Sequence, residues 1–330
     1  MSKLSRFNPI AVLLMTGLPG LTVAAELSPG WLQTRDQNPF VLGSGLPLAP
    51  SIPPAGNWQL DTTYTVANTE MGQSNRVSSL TFDAETSEFR FSAAYAFNER
   101  WSLRGSISHL TIGDGYLDGA IEEYHHIFGF TNGDRGLLGT EAPVIRVDLD
   151  GETLYWLDRN RSGNGPLLVD LTRSWNYGKG SVAGISLGSK WPIGSTSSLT
   201  DTGSKDFSLS GFTLYNMGDR FTFGARIGVL FQGDNDLLGT QARNTVPFAN
   251  LLLRVKIDQN WSVLAQTDAH AALYRDLPKF LKASNQFSFG FSRRIGESAE
   301  LQGIFSEDIP RLHATDIAFG LNLRVNLGPR

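Results

Sequence analysis

Apolar and polar residues alternate along most of the chain after residue 57. The clearest example is Phe221–Phe231, FTFGARIGVLF, where every second residue is apolar and Thr222, Arg226 and glycines lie between. A period of two places successive side chains on opposite faces of a β-strand. Such stretches recur at lengths of about ten residues, which a tilted strand needs to cross a bilayer. One strand of a soluble sandwich would alternate too, but the repetition predicts an all-β fold, a transmembrane antiparallel β-barrel.

The alternating stretches predict the individual strands. Bacterial barrels usually have an even number of strands, so we expect about 12–14. A hairpin at 144–158, turned by Asp150-Gly151, and the stretch 36–47 are further candidates, because Asp-Gly is a favoured hairpin turn. The predicted strands are 57–66, 80–82, 89–97, 101–107, 166–177, 180–191, 205–217, 219–232, 245–257, 260–270, 284–295, 298–307 and 315–327.

Short and long connections alternate along this series. The short turns are 98–100, 178–180, 217–219, 258–260 and 295–298, and the long connections are 112–165, 192–204, 232–244, 271–283 and 307–314. Short periplasmic turns and long outer loops are typical of outer-membrane barrels. Trp101, Trp175, Tyr177 and Trp261 lie beside short turns, where an interfacial belt of aromatic residues is expected. The connections and the aromatic residues therefore predict the same orientation.

Composition agrees with a barrel and excludes other classes. The 330 residues include 35 glycines and 20 phenylalanines, with a mean hydropathy of −0.15 and no long apolar run after the N-terminus. Helical membrane spans are therefore excluded, whereas a barrel needs only alternate apolar residues. Without cysteine there is no disulfide or thiolate metal site. The net charge of −4 gives no reason to expect nucleic-acid binding.

The N-terminus divides into two segments. Residues 1–25 are typical of a cleavable signal peptide, with Lys3 and Arg6 before a short apolar stretch and Val23-Ala24-Ala25 as the cleavage site. Residues 26–56 are rich in proline, which removes amide donors and prevents a long strand ladder. We expect this segment either to lead into the barrel domain, 57–330, from the periplasm or to lie inside the barrel.

The long connection after residue 112 breaks the alternating pattern. Leu117, Ile121, Tyr124 and Phe128 recur at helical spacing, which predicts an amphipathic helix over 117–128. Asp118 can cap this helix, its polar side carries the candidate residues Glu122, Glu123, His125 and His126, and the candidate Arg135 follows it.

The run LDGAIEEYHHIFGFTNGDRG, residues 117–136, resembles the signature of a family of uncharacterised Gram-negative outer-membrane β-barrels with a domain of unknown function. Gln37-Asn38-Pro39, Gly45-Leu46-Pro47 and Asp150-Gly151 resemble the pattern of that family as well. The resemblance implies a barrel in the outer membrane. It implies no activity, since the family has none assigned.

The candidate residues favour a gate over a metal site. Glu122 and His126 are four residues apart and would share a helix face, but two further ligands have no obvious spacing, so we expect a solvated face and no metal. The predicted helix is better interpreted as a plug at the mouth of the lumen. On the strands, Arg90, Arg104 and Arg226 are predicted to line the lumen, with Glu88 and Asp61 as partners.

The sequence therefore favours a channel or passive transporter for small or amphipathic solutes, partly occluded by the inserted helix. A lipid-modifying hydrolase, drawing on Ser108-His109, Asp268 with His270, or His313, is an alternative, and a structural or surface-interaction barrel is another. We expect no cofactor. The expected partners are outer-membrane lipids, lipopolysaccharide, the barrel-assembly machinery and a small solute, with no nucleic acid.

Overall fold

The computed structural model describes residues 21–22, 30–114, 143–178, 180–277, 281, 283–308 and 317–329. These residues form one antiparallel sheet, with a single turn of α-helix, α1 (Pro39–Leu42), and a 3-10 turn at Gly239–Gln241. The strands are β1 (Leu21–Thr22), β2 (Trp58–Ser74), β3 (Ser78–Ala96), β4 (Trp101–Gly113), β5 (Val144–Leu149), β6 (Glu152–Leu157), β7 (Arg161–Asn164), β8 (Leu167–Tyr177), β9 (Ser181–Trp191), β10 (Asp206–Met217), β11 (Phe221–Phe231), β12 (Thr245–Lys256), β13 (Trp261–His270), β14 (Ser284–Ile295), β15 (Ala299–Asp308) and β16 (Ile317–Pro329).

The sheet closes into a barrel of 12 strands. The last strand, β16, pairs with the first wall strand, β2, from Leu327 opposite Trp58 to Ile317 opposite Asn68. β7 and β8 together fill one position beside β4, because Gly165-Pro166 interrupts a single strand there. Among the described strands of the wall, closure leaves no unpaired edge, which a membrane requires. The predicted transmembrane antiparallel barrel is confirmed.

The strand count corrects one detail of the sequence prediction. The segments 80–82 and 89–97 are two halves of β3, which is 19 residues long. The polar stretch from Asp83 to Thr86 suggested a turn, but it lies in strand where β2 and β3 extend beyond their neighbours. That extension lies beyond the bilayer, so lipid does not impose an alternation of apolar and polar residues on it. Joining the two halves gives the even number.

Two other strand candidates also differ in the structure. The stretch 36–47 forms no strand, because Pro39 begins the helical turn α1 and Pro47 cannot donate to a ladder. The hairpin at 144–158 does form, as β5 and β6, with Asp150 and Gly151 both at positive φ in its turn. It pairs with the extended end of β3 and is not part of the closed wall.

The outer face of the wall is apolar. In β11 the residues at odd positions face outward, and Ile227 is 71% exposed, whereas Thr222 and Arg226 are buried inside. Large apolar side chains on other strands are exposed in the same way, as expected for a lipid-facing surface. They include Ile185, Leu187, Phe207, Leu209, Leu251, Val263, Phe289, Phe291 and Leu321.

The two ends of the barrel differ. One end, called here the short-turn end, has the connections 97–100, 178–180, 218–220, 257–260 and 296–298, and Trp101, Trp175, Tyr177 and Trp261 are exposed beside it. The other, the long-loop end, contains a cluster of buried apolar residues, called here the outer apolar cluster. No described helix is long and apolar enough to span a bilayer. The outer apolar cluster includes Phe40, Val41, Leu80, Phe82, Ile112, Ile145, Val147, Tyr155, Leu157, Leu230, Leu237, Leu238, Val246, Leu273 and Tyr274.

The short strand β1 pairs Leu21 and Thr22 with Pro329 and Gly328 at the end of β16. It lies within the predicted signal peptide. Cleavage at the predicted site would remove this pair.

Candidate functional site

The interior of the barrel is filled by residues 30–57, called here the lumen segment. An ascending arm, 30–38, runs from the short-turn end toward the long-loop end. The turn α1 forms its tip, and a descending arm, 43–57, returns to the start of β2. Most residues of the lumen segment are buried. From the sequence, this segment could either lead into the barrel from the periplasm or lie inside the barrel. Its described residues lie inside.

Side chains of the wall hold the backbone of the ascending arm. The Gln266 side chain accepts a hydrogen bond from the Leu32 amide (3.0 Å) and donates one to the Leu32 carbonyl (3.3 Å). Arg90 donates through Nη2 to the Gln33 carbonyl at 2.7 Å. Glu88 accepts from Arg35 (3.3 Å) and from Arg90 (2.9 Å), so one buried carboxylate forms ion pairs with a cation of the wall and with a cation of the segment.

Two glycines of the wall make room for the ascending arm. A Cβ added to Gly224 would lie 2.8 Å from Cη2 of Trp31, and one added to Gly290 would lie 2.6 Å from Cδ2 of Leu32. Trp31 and Leu32 are fully buried in an apolar cluster with wall residues such as Leu252. A larger side chain at either glycine would therefore displace the arm.

The tip of the lumen segment is part of the outer apolar cluster. The ring of Phe40 packs edge-on against Phe82 and Tyr155, with centroids 6.5 and 5.6 Å away. Tyr274 donates its hydroxyl to the Phe40 carbonyl at 2.9 Å. Burial raises the pKa of Tyr274 above its ordinary value, so the hydroxyl keeps its proton for this bond. Asn38 caps α1 by accepting from the Phe40 amide at 3.0 Å.

Two arginines bind the descending arm through its carbonyls. Arg104 donates to the carbonyls of Ala49 (2.5 Å) and Leu48 (3.1 Å). Arg226 donates to the same Leu48 carbonyl at 2.8 Å and to the Pro47 carbonyl at 3.3 Å. The Leu48 oxygen thus accepts from two guanidinium groups on different strands, β4 and β11.

Most charged groups of the wall pair with each other as well. Arg104 contacts Asp170 at 2.8 Å. Arg324 lies between Asp61 (3.0 Å) and Glu300 (3.2 Å), and Glu300 also binds Arg254 (2.7 Å). Arg226 differs, since among the described residues no carboxylate forms an ion pair with it. Its remaining contacts are with the Ser210 hydroxyl at 3.1 Å and the face of Phe248, whose centroid is 5.0 Å away.

The packed segment leaves little free space in the described part of the lumen. A cavity of about 50 Å³ lies between the segment and strands β12 and β13, lined in part by Asp36, Phe248, Asn250 and His270. A cavity of this size accommodates a few water molecules. Among the described residues, the lumen segment therefore fills most of the interior beside these strands.

The residues predicted for the lumen have different outcomes. Arg90, Arg104 and Arg226 are all buried in the interior and all bind the lumen segment. The predicted helix 117–128 and its residues Asp118, Glu122, Glu123, His125 and His126, together with Arg135, lie outside the described residues. In the ranges that the structure covers, no three His, Asp or Glu side chains are grouped to hold a metal ion.

The residues named for a hydrolase are not assembled in the described part of the chain. Ser108 faces the interior, whereas its neighbour His109 is exposed on the outer face. His270 binds Asp36 of the lumen segment at 3.1 Å through Nε2, and Asp268 binds Thr34 at 2.6 Å. His313 lies outside the described residues.

Sequence reasoning missed that the arginines bind backbone carbonyls. The one available signal was the proline content of 26–56, because prolines lack amide donors and a segment rich in them retains carbonyls that need donors elsewhere.

Comparison with solved structures finds proteins to which this chain is similar. The crystal structure of an outer membrane channel from Pseudomonas putida F1 aligns with a TM-score of 0.52 at 15% identity, covering 83% of this chain and 95% of that one. The NanC porin aligns with a TM-score of 0.44 at 8% identity, covering 82% of this chain and 99% of that one. A deltaS2 mutant of the TodX monoaromatic hydrocarbon channel aligns with a TM-score of 0.40 at 10% identity, covering 83% of this chain and 89% of that one. At 15% identity, the similarity to the channel from Pseudomonas putida F1 shows a common fold.

No curated protein matches the sequence. One family model does, and it extends over residues 15–327, from the predicted signal peptide to the last strand. The resemblance seen in the sequence motifs is thereby confirmed. The chain belongs to the family described as protein of unknown function (DUF3187).

Proposed function

We propose that this protein is an outer-membrane channel or passive transporter for small or amphipathic solutes, closed by its lumen segment. One observation carries the proposal: the barrel wall is complete without the segment, and its interior face is polar. Arg104 with Asp170, and Arg324 with Asp61, are paired within the wall. Movement of the segment would leave a polar passage, as in barrels that conduct.

Outer-membrane location is part of the proposal. It is supported by the apolar outer face, the closed sheet and the aromatic side chains beside the short turns. The predicted signal peptide agrees with export from the cytoplasm.

The two arms of the segment are held unequally. Trp31 and Leu32 of the ascending arm and Phe40, Val41 and Leu42 of the tip that follows it are buried, and removing all five from their apolar contacts would cost on the order of 10 kcal/mol. In the descending arm, Leu48 is the one leucine or isoleucine that is fully buried. The other strong contacts of this arm are hydrogen bonds. We therefore propose that opening begins with the descending arm while the ascending arm stays in place.

Gly290→Val tests whether the segment closes the lumen. The added carbons would collide with Leu32 and should force the ascending arm from the wall, so we expect ion conductance in planar bilayers to rise several-fold over wild type. Gly105→Val is the matched control, because a Cβ there meets no atom within 4 Å. Equal conductance of both variants and wild type, with all three barrels folded, would contradict the proposal.

A second element in the proposed channel is the predicted helix 117–128. We propose that its polar side, with Glu122 and Glu123, narrows the passage at the long-loop end and favours cations. Deletion of residues 116–130 should raise single-channel conductance, and Glu122→Gln with Glu123→Gln should lower cation selectivity. Unchanged recordings from both variants would remove the helix from the mechanism.

A further inference from the structure

We propose that Arg104 and Arg226 form a binding site for the carboxylate group of a solute, and that the Leu48 carbonyl occupies this site in the closed state. The inference rests on the proposed channel function and adds the chemical class of the solute. The two guanidinium groups converge on one oxygen, at 3.1 and 2.8 Å.

The geometry suits an anion better than a neutral carbonyl. Guanidinium groups present planar pairs of N–H donors that match the two oxygens of a carboxylate. Arg226 Nη1 also reaches the Pro47 carbonyl, and Arg104 Nη1 reaches the Ala49 carbonyl. In the closed state the backbone therefore supplies several acceptor oxygens where a carboxylate would supply two charged ones.

Arg104 and Arg226 differ in their ionic partners. Arg104 already has Asp170 as its ion-pair partner at 2.8 Å. Arg226 forms no ion pair among the described residues, and Asp170 and Asp268 act on it electrostatically only from beyond ion-pair distance. Its direct contacts are with neutral groups of the wall and of the descending arm, and both arginines are almost completely buried. A carboxylate at the position of the Leu48 oxygen would give Arg226 a direct ionic partner, which a carbonyl dipole does not.

Solute binding and opening would then be linked. A carboxylate that binds only when the descending arm has moved away shifts the population toward the displaced state. At a concentration about ten times its dissociation constant from that state, it increases the displaced population about tenfold.

The test uses the full mature chain with Ser51→Cys as a reporter on the descending arm. Ser51 is buried, its hydroxyl has no hydrogen-bond partner among the described residues, and the natural chain has no cysteine. In detergent micelles, a maleimide reagent should label this thiol several-fold faster in sodium acetate than in acetamide, at an ionic strength held constant with sodium chloride. Glu152→Cys, at the exposed start of β6, should label equally in both.

The arginine variants show whether the effect belongs to the site. In Arg226→Gln the labelling rates in acetate and in acetamide should become equal, even if both rates rise. In Arg226→Lys the rate in acetate should stay higher, by a smaller factor. A ratio of one in the Ser51→Cys chain with both arginines present, or a ratio unchanged by Arg226→Gln in a folded barrel, would overturn the proposal.

Bilayer recordings separate this site from the channel itself. An acetate effect on labelling without conductance in wild type or Gly290→Val would support the site and contradict the channel. Conductance without an acetate effect would retain the channel and overturn the carboxylate site.

Discussion

A chain lacking residues 31–53 is expected to conduct ions in planar bilayers far more strongly than wild type, which should be mostly closed. The deletion removes both arms and the tip, including Trp31 and Leu48, from an interior that otherwise has little free space. Water would then hydrate the wall charges, many of which keep a partner in the wall itself, such as Asp170 for Arg104 and Glu300 for Arg254. The barrel should therefore remain folded while its lumen opens.

A chain with a Gly/Ser sequence of equal length in place of 31–53 is the matched control. It keeps the covalent connection but lacks the apolar side chains, so it should conduct as well. Folding is checked by the altered electrophoretic mobility of unheated barrel. If both chains are folded and as closed as wild type, the lumen segment is not what blocks the barrel.

Ile227→Arg is expected to destabilise the barrel by about 2–4 kcal/mol, the second large effect. Ile227 lies near the middle of β11 and is 71% exposed on the outer face, so a guanidinium there would meet hydrocarbon. Urea titration of folding into lipid vesicles measures the free energy of unfolding.

Met217→Arg provides the comparison for depth. Met217 is also exposed on the outer face, but it ends β10 beside a short turn. The cost of a charge at the membrane interface is only about 0–1 kcal/mol. Equal losses of stability in the two variants would mean that the outer face of β11 does not meet the bilayer interior.

The wall of the barrel was predictable because lipid imposes a rule on every strand. In β11 the apolar positions that include Phe223 and Ile227 face outward, and the alternation alone assigned them to that face. The same rule fails beyond the bilayer, where the extended part of β3 near Asp83 pairs with β5 and packs against loops. That failure explains why one strand was counted as two.

The contents of the lumen depend on the tertiary structure. The prolines of residues 26–56 indicated that this segment does not pair as a long strand. No local sequence pattern, however, distinguishes a segment that lies in the periplasm from one that lies in a polar barrel interior. In both environments the carbonyl groups are bonded, either to water or to wall side chains such as Arg90 and Arg104.

The sequence by itself determined the barrel, the face that each wall residue presents, and the family to which the chain belongs, because alternation and short motifs are local properties. Only the tertiary structure decided the strand number, the burial of the lumen segment, and the meeting of Arg104 and Arg226 at the Leu48 carbonyl. Those two arginines are 122 positions apart (226 minus 104) on separate strands, and closure of the sheet brings them to one point. Convergence of this kind depends on strand register and barrel closure, which are set by contacts between residues distant in the chain.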